Sequence, residues 1–140
     1  MLKIQVLCMK GLGARVNKGL QVGSRIVCND NSGVKIVQII GTKGAKASKA
    51  MYPKVGVGDI VIVSVKKGTQ QMRKKVLKAL VVRQKQIFRR PNGMRIMFED
   101  NAVVIIDDAG LPVGTEIKGC VSREVADRYP KVAAIAPAVV

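Results

Sequence analysis

Short runs rich in Val and Ile, separated by turn-forming residues, recur between residues 25 and 107 and constrain the fold more than any other feature. Runs of β-branched residues bounded by Gly, Asn and Asp are typical of β-strands. Because little helical sequence separates them, the spacing indicates a mainly β protein built as a small closed antiparallel barrel. The predicted strands are 25–29, 34–40, 60–67, 78–88, 94–99 and 102–107.

Turn chemistry and helix signals complete the predicted chain path. Asp30-Asn31-Ser32-Gly33 favours a tight turn, and Asn92-Gly93 predicts a hairpin that closes strand 78–88 onto strand 94–99. A loop is expected over 41–55, and one helical turn over 70–75. Short C-terminal helices are predicted over 122–129, with Ser122 as N-cap, and over 131–136. The run Ile60-Val61-Ile62-Val63 is apolar on both faces, which predicts a strand covered on both sides.

The length of 140 residues suits one domain. We predict a basic N-terminal arm over residues 1–20 and a single β-barrel domain over 21–140. That domain includes the C-terminal helical region at about 122–140.

The charge is divided unevenly along the chain, whose net charge is +16. Residues 1–98 hold 21 basic and two acidic residues, a net charge of +19, whereas residues 99–140 carry −3. Eleven basic residues and no acid lie between Lys66 and Arg95. This asymmetry predicts one face for a polyanion and a separate face for another partner.

The composition also argues against most kinds of catalytic and metal-binding site. The chain has no His, which excludes Ser-His-Asp and Cys-His catalysis. Its three cysteines, Cys8, Cys28 and Cys120, are widely spaced and odd in number, so we expect reduced thiols in a cytosolic protein. No apolar run approaches the ~18 residues of a membrane span. We therefore expect no cofactor, no metal and no membrane partner.

Three groups of basic residues are the candidate polyanion contacts. Each cation can neutralise one phosphate and release its condensed counterions. The loop group is Lys43, Lys46, Lys49 and Lys54; the second group is Lys66, Lys67, Arg73, Lys74, Lys75 and Lys78; the hairpin group is Arg83, Lys85, Arg89, Arg90 and Arg95.

The scarcity of aromatic residues indicates the kind of nucleic acid. Proteins that bind single strands stack bases on aromatic side chains, and this chain has only two Tyr and two Phe. Phe98 is expected in the core. Recognition of folded RNA through its backbone and shape is therefore favoured.

A DNA-binding or free RNA-binding accessory factor is the alternative. A Mg²⁺-dependent nuclease built on Asp107-Asp108 or Glu99-Asp100 is less favoured, because both pairs end strands, where Asp caps turns.

One set of motifs resembles a known family. The chain resembles the universal large-subunit ribosomal protein fourteen family at three short motifs: Ile26-Val27-Cys28-Asn29-Asp30-Asn31-Ser32-Gly33, Val57-Gly58-Asp59 and Val65-Lys66-Lys67-Gly68. It also resembles that family in the spaced series Ala79-Leu80-Val81-Val82, Asn92-Gly93, Phe98, Asn101 and Val104-Ile105. The similarity covers about residues 20–140. Three stretches resemble the archaeal and eukaryotic branch more than the bacterial one: Arg83-Gln84-Lys85, Arg89-Arg90-Pro91 and Phe98-Glu99-Asp100-Asn101-Ala102. Cys120 departs from the family, whose members usually have Pro there, and the 41–54 loop is individual.

The resemblance implies a five-stranded β-barrel with small C-terminal helices and a structural role without catalysis or cofactor. It implies binding to large-subunit rRNA, a bridge to small-subunit rRNA, contact with neighbouring ribosomal proteins and a location in the cytoplasmic ribosome. It also implies that an anti-association factor can cover the C-terminal region. The residues expected to offer that protein-partner surface are Glu124, Asp127, Val132 and Ile135.

Overall fold

The computed structural model describes residues 11–44 and 52–140, which contain nine strands and two short helices. The predicted mainly β fold with short C-terminal helices is confirmed. In chain order the elements are β1 (Leu20–Gln21), β2 (Arg25–Cys28), β3 (Val34–Thr42), β4 (Lys54–Val55), β5 (Ile60–Gly68), β6 (Val76–Arg83), β7 (Phe88–Arg89), β8 (Arg95–Ile96), β9 (Ala102–Ile106), α1 (Arg123–Arg128) and α2 (Pro130–Ala134).

Five strands close into a barrel in the order β2-β3-β5-β6-β9. Four of the pairings are antiparallel, but β2 pairs with β9 in parallel, with Val27 opposite Ala102 and Cys28 opposite Val103. The five-stranded barrel is therefore confirmed with one correction, because the prediction made it antiparallel throughout. An odd number of strands cannot alternate direction all the way round a closed ring, so one pairing must be parallel.

The barrel wall separates two apolar clusters. Val37, Val63 and Ile105 belong to the cluster of residues that fill the barrel. Leu80, Phe88 and the other members of the second cluster lie between the outer face of the wall and the C-terminal region. Strand β5 contributes to both clusters, since Val61 and Val63 are in the first and Ile60 is in the second. The prediction that this strand is covered on both sides is confirmed at Ile60.

The expected strand 78–88 is interrupted after Arg83. Strand β6 ends there, and β7 begins only at Phe88. The interruption is stabilised by Gln84, which is fully buried. Its side chain accepts a hydrogen bond from the Val57 N–H at 3.1 Å and donates to the Asn17 carbonyl oxygen at 2.7 Å. An amide side chain placed at the strand end thus links three distant segments.

The connection between β5 and β6 forms the single helical turn that was predicted. The Arg73 N–H donates to the Thr69 carbonyl oxygen at 3.1 Å. Lys74 follows with φ of 63°, the left-handed conformation that usually ends such a turn. Gly33 joins this turn to the one between β2 and β3, because its carbonyl oxygen accepts the Thr69 N–H at 2.9 Å.

The C-terminal region packs on the outside of the barrel. Helix α1 begins after Ser122 and α2 begins at Pro130, one residue before the predicted start. Val125 and Val132 are fully buried against the wall. The tail then returns alongside the 120s, where Val121 and Val139 form a parallel bridge.

Candidate nucleic-acid interface

One end of the barrel carries a dense group of exposed cations, named here the turn cluster: Lys66, Lys67, Arg73, Lys74 and Lys75. The single helical turn and the left-handed residue at its end place these side chains around one tight connection. The exposed Lys35 lies beside them, because the neighbouring Ile36 is paired with Lys67. Lys35 was missed by the sequence analysis, since only strand register brings it to this end.

The hairpin β7–β8 presents a second cationic surface, with opposite properties on its two faces. Arg89 and Arg95 are directly paired and both are exposed. Phe88 and Ile96, the other pair, face the outer apolar cluster. Because side chains alternate between the faces of a strand, the same alternation that buries Phe88 directs both arginines outward.

The remaining predicted contacts are more scattered. Lys43, Lys54 and Lys85 are exposed. Lys46 and Lys49 lie outside the described residues. Lys78 is half-buried and forms an ion pair with Asp108.

Arg83 was predicted to contact RNA, but it is only 5% exposed. Its Nε and Nη2 both donate to the Asp100 carboxylate at 2.8 Å, and its Nη1 donates to the Cys120 carbonyl oxygen at 2.7 Å. Hydrogen bonding from Arg83 lowers the pKa of Asp100. The guanidinium therefore links β6 to the segments before and after β9, and we assign it a structural role in place of the expected phosphate contact.

Arg90 also turns away from the predicted RNA-binding surface. Its Nε donates to Glu124 at 2.7 Å, and its Nη2 donates both to Glu124 at 3.2 Å and to the Val140 carbonyl oxygen at 2.7 Å. Burial acts to raise the pKa of Glu124, but hydrogen bonds from Arg90 and Ser122 outweigh it, and this pKa lies below its ordinary value. Arg90 thus joins the hairpin to α1 and to the C-terminal residue.

The predicted protein-partner surface is only half accessible. Glu124 is 5% exposed and Val132 is fully buried, so neither is placed to contact a partner. Asp127 is exposed and Ile135 is half-buried. The family resemblance suggested these four residues, and it does not indicate which side of each helix is buried. The barrel wall instead covers one side of each helix.

One carboxylate of each predicted pair has a structural partner. Asp100 binds Arg83, and Asp108 binds Lys78. No group of His, Cys, Asp and Glu suited to a metal ion occurs within residues 11–44 and 52–140. A groove of about 760 Å³ lies beside Asp107 and Asp108, but its lining mixes these carboxylates and Asp59 with Lys43 and Lys131. This mixture does not make a uniformly cationic surface.

Neither thiol that the structure describes forms a disulfide. Cys28 is buried and Cys120 is half-buried, both without a disulfide. Burial of Cys28, with the Asp30 carboxylate beside it, raises the pKa of the thiol to about 12. Cys8 lies outside the described residues. In the part of the chain that is described, no helix has the length and apolar character needed to cross a membrane.

Fold and surface together define the class: a small basic β-barrel protein with its exposed cations concentrated on turns and a hairpin. Ten of the predicted basic contacts are exposed. Concentrated positive charge of this kind is typical of proteins with polyanionic partners.

Comparison with known proteins gives the family. A family model described as ribosomal protein L14p/L23e matches residues 19–140. The large ribosomal subunit protein uL14 of Methanocorpusculum labreanum is 49% identical over 132 residues, which cover 94% of this chain and 100% of the relative. The uL14 proteins of Halorubrum lacusprofundi and Halobacterium salinarum are 52% and 51% identical over the same shares. The chain belongs to the ribosomal protein L14p/L23e family.

Membership confirms the predicted family and its archaeal and eukaryotic branch. The protein is a structural component of the large ribosomal subunit and is located in the cytoplasmic ribosome. The family is structural and not enzymatic, which favours a structural ribosomal role over the accessory-factor and nuclease alternatives.

Proposed function

We propose that this protein stabilises the large ribosomal subunit by neutralising and positioning rRNA phosphates through its turns and hairpin. The observation that carries the proposal is the exposure of ten predicted cations, seven of which lie in the turn cluster and on the β7–β8 hairpin. Lysine and arginine that displace condensed counterions bind RNA with little dependence on base sequence. The rigid barrel holds the separate cationic groups at fixed distances, so it selects RNA by shape.

The proposed contacts are the exposed members of the predicted set. Lys46 and Lys49 stay predictions, and Arg83 and Arg90 are left out because their guanidinium groups bind carboxylates inside the protein. The proposed rRNA contacts are Lys43, Lys54, Lys66, Lys67, Arg73, Lys74, Lys75, Lys85, Arg89 and Arg95.

The test is the salt dependence of binding between the full chain and a large-subunit rRNA transcript. Each lost phosphate contact reduces the slope of log K against log salt by about 0.7–0.9. The triple variant Lys66→Gln, Lys67→Gln, Arg73→Gln is expected to lower the slope by about 2–3. The matched control removes the same charges from the acidic part of the chain: Lys118→Gln, Arg123→Gln, Lys131→Gln, all at exposed positions. Equal slopes for both variants would reject the proposal.

We further propose that the C-terminal region faces the subunit interface and contacts the small subunit or an anti-association factor. Support comes from the exposed Asp127, the half-buried Ile135 and the mixed charge of the adjacent groove. Large subunits that carry Asp127→Lys are expected to join small subunits less well, or to retain less of the factor, in sucrose-gradient sedimentation. Glu116→Lys is the control, since Glu116 is exposed outside both helices. Unchanged joining and unchanged factor retention in the Asp127 variant would count against this placement.

A further inference from the structure

Residues 14–16 add a third strand-like segment to the β7–β8 hairpin. Arg15 forms an antiparallel bridge with Arg89, and Arg89 is paired with Arg95. Directly opposed residues in antiparallel pairs share a face and have Cβ atoms about 4.5–5.5 Å apart. Three arginines from three chain segments therefore form one cross-strand row, which we call the arginine row: Arg15, Arg89 and Arg95.

The opposite face of this small sheet explains why the row points to solvent. Ala14 and Val16 pack against the outer apolar cluster, as do Phe88 and Ile96. All three arginines are exposed. Apolar residues thus alternate with arginine in the first segment as they do in the hairpin, and burial of one face fixes the direction of the other.

Two hydrogen bonds hold the first segment in place beside β7. The Asn17 side chain donates from Nδ2 to the Ile87 carbonyl oxygen at 3.1 Å, and the Asn17 carbonyl oxygen accepts the Gln84 Nε2 at 2.7 Å. Because Gln84 is fully buried, the hydrogen bond that it donates connects the N-terminal segment to the protein interior. The position of Arg15 is therefore set by the fold and not by its charge.

Like charges directly opposite each other destabilise a sheet. None of the ion pairs found among the described residues involves a member of the arginine row. A row of three guanidinium groups is compensated when it binds a ligand with repeated negative charge, and Arg suits the bidentate recognition of phosphate. An RNA backbone supplies such charges at regular intervals.

We propose that the arginine row is a composite phosphate-binding site for the rRNA backbone, completed by Arg15 from the N-terminal segment. The match to the family model starts at residue 19, but the uL14 relatives align over 94% of this chain, which includes the position of Arg15. This inference rests on the proposed function and adds to it a site that no single segment of the chain contains.

The experiment measures binding of the full chain to the large-subunit rRNA transcript over a range of salt concentrations. Arg15→Gln alone is expected to reduce the slope of log K against log salt by about 0.7–0.9, and the triple variant of the row by about 2–3. Arg123→Gln is the matched control, because Arg123 is an exposed arginine in the acidic part of the chain. The melting temperature of the unbound triple variant should stay the same or rise, since the mutual repulsion is gone.

The outcomes separate this inference from the proposed function. If the wild-type chain shows no steep salt dependence, the proposed function fails. If the triple variant of Lys66, Lys67 and Arg73 loses slope while the triple variant of the row matches Arg123→Gln, only the arginine row is rejected. A row variant that keeps its rRNA slope but loses affinity for poly-glutamate would also reject it, because the row would then face a protein.

Discussion

The contribution of Arg90 to the stability of the fold depends on the charge of Arg90 and that of Glu124 being present together. Arg90 and Glu124 have side chains only 10% and 5% exposed, so the loss of either charge leaves the other buried without its oppositely charged partner. Breaking such a buried pair costs several kcal/mol, whereas exposed pairs contribute little. Reversal of Arg90 would therefore disturb the fold before it reported on RNA binding, and Arg89 is the informative position on this hairpin.

We expect Glu124→Gln to lower the free energy of unfolding by about 3–5 kcal/mol at neutral pH. The pKa of Glu124 in the folded protein lies below its ordinary value of 4.5. A lowered pKa contributes stability that is complete above about pH 4.5 and is lost as the pH falls through the folded value. The variant should therefore show a weaker acid dependence below that pH than the wild type. Urea unfolding at several pH values measures both effects.

The control for this prediction is Asp108→Asn, which breaks the exposed ion pair with Lys78. Its free energy of unfolding at neutral pH should be almost unchanged. If Glu124→Gln were as harmless as Asp108→Asn, the Arg90–Glu124 pair would not link the hairpin to α1 energetically.

Lys74 combines a cost in stability with a placement that favours binding. Its φ of 63° is a left-handed conformation that costs a residue other than Gly roughly 1 kcal/mol. Lys74→Gly should raise the free energy of unfolding by up to about 1 kcal/mol and lower the salt slope of rRNA binding by about 0.7–0.9. Urea unfolding and salt titration of the same preparation test the two signs.

Lys75→Gly separates the conformational effect from the charge effect. It removes the same charge from an exposed neighbour, and Lys74 is the only residue other than Gly with positive φ among the described positions. It should therefore lower stability by roughly 0.5–1 kcal/mol, because Gly gains more freedom in the unfolded chain. Two variants of equal stability would show that the left-handed conformation carries no cost.

At the scale of elements, Gln84 decides where β6 ends and where the N-terminal segment attaches. Gln84→Ala leaves the Val57 N–H without its partner, which costs about 1–3 kcal/mol for a buried donor. We expect that loss in urea unfolding, together with faster hydrogen exchange at the Val57 amide. Gln86→Ala is the control, because Gln86 is exposed and takes part only through its carbonyl oxygen. Unchanged exchange at Val57 in Gln84→Ala would contradict this role.

The strands of the barrel could be predicted from sequence because the residues that specify each strand are close together in the chain. Alternation and turn residues identified β2, β3, β5 and β9 to within about two residues, and Asn92-Gly93 identified the hairpin. The two-residue strands β1 and β4 were missed, because Leu20 pairs with Val55 only after the barrel forms. The break in strand 78–88 was missed for a similar reason, since the partners of Gln84 lie 27 and 67 positions away.

The candidate site shows the same division between local and distant information. Composition identified the basic surface, and chain order identified the turn cluster. Composition does not indicate which cations have internal partners: Asp100 lies 17 positions from Arg83, and Glu124 lies 34 positions from Arg90. The contribution of Arg15 was missed because a bridge over 74 positions brings it to Arg89. The partners of both buried guanidinium groups are thus too distant in sequence for a local pattern to indicate.

For the whole molecule, the uneven charge should give folding and binding opposite responses to salt. A net charge of +16 destabilises the compact chain through self-repulsion. Raising the ionic strength from about 0.01 M to 0.15 M shortens the Debye length from about 30 Å to about 8 Å. The melting temperature of the unbound protein should therefore rise over this range, while its affinity for rRNA falls.

The triple variant of Lys66, Lys67 and Arg73 tests whether the same cations cause both responses. Removal of three charges from the turn cluster should raise the melting temperature at low salt and flatten its increase with ionic strength. The control triple at Lys118, Arg123 and Lys131 should change the increase less, because those positions lie among the acidic residues of the C-terminal part. Thermal unfolding by circular dichroism measures each curve. If both variants kept the wild-type increase in melting temperature with ionic strength, self-repulsion in the turn cluster would not limit stability. Binding to rRNA would then not act by relieving that repulsion.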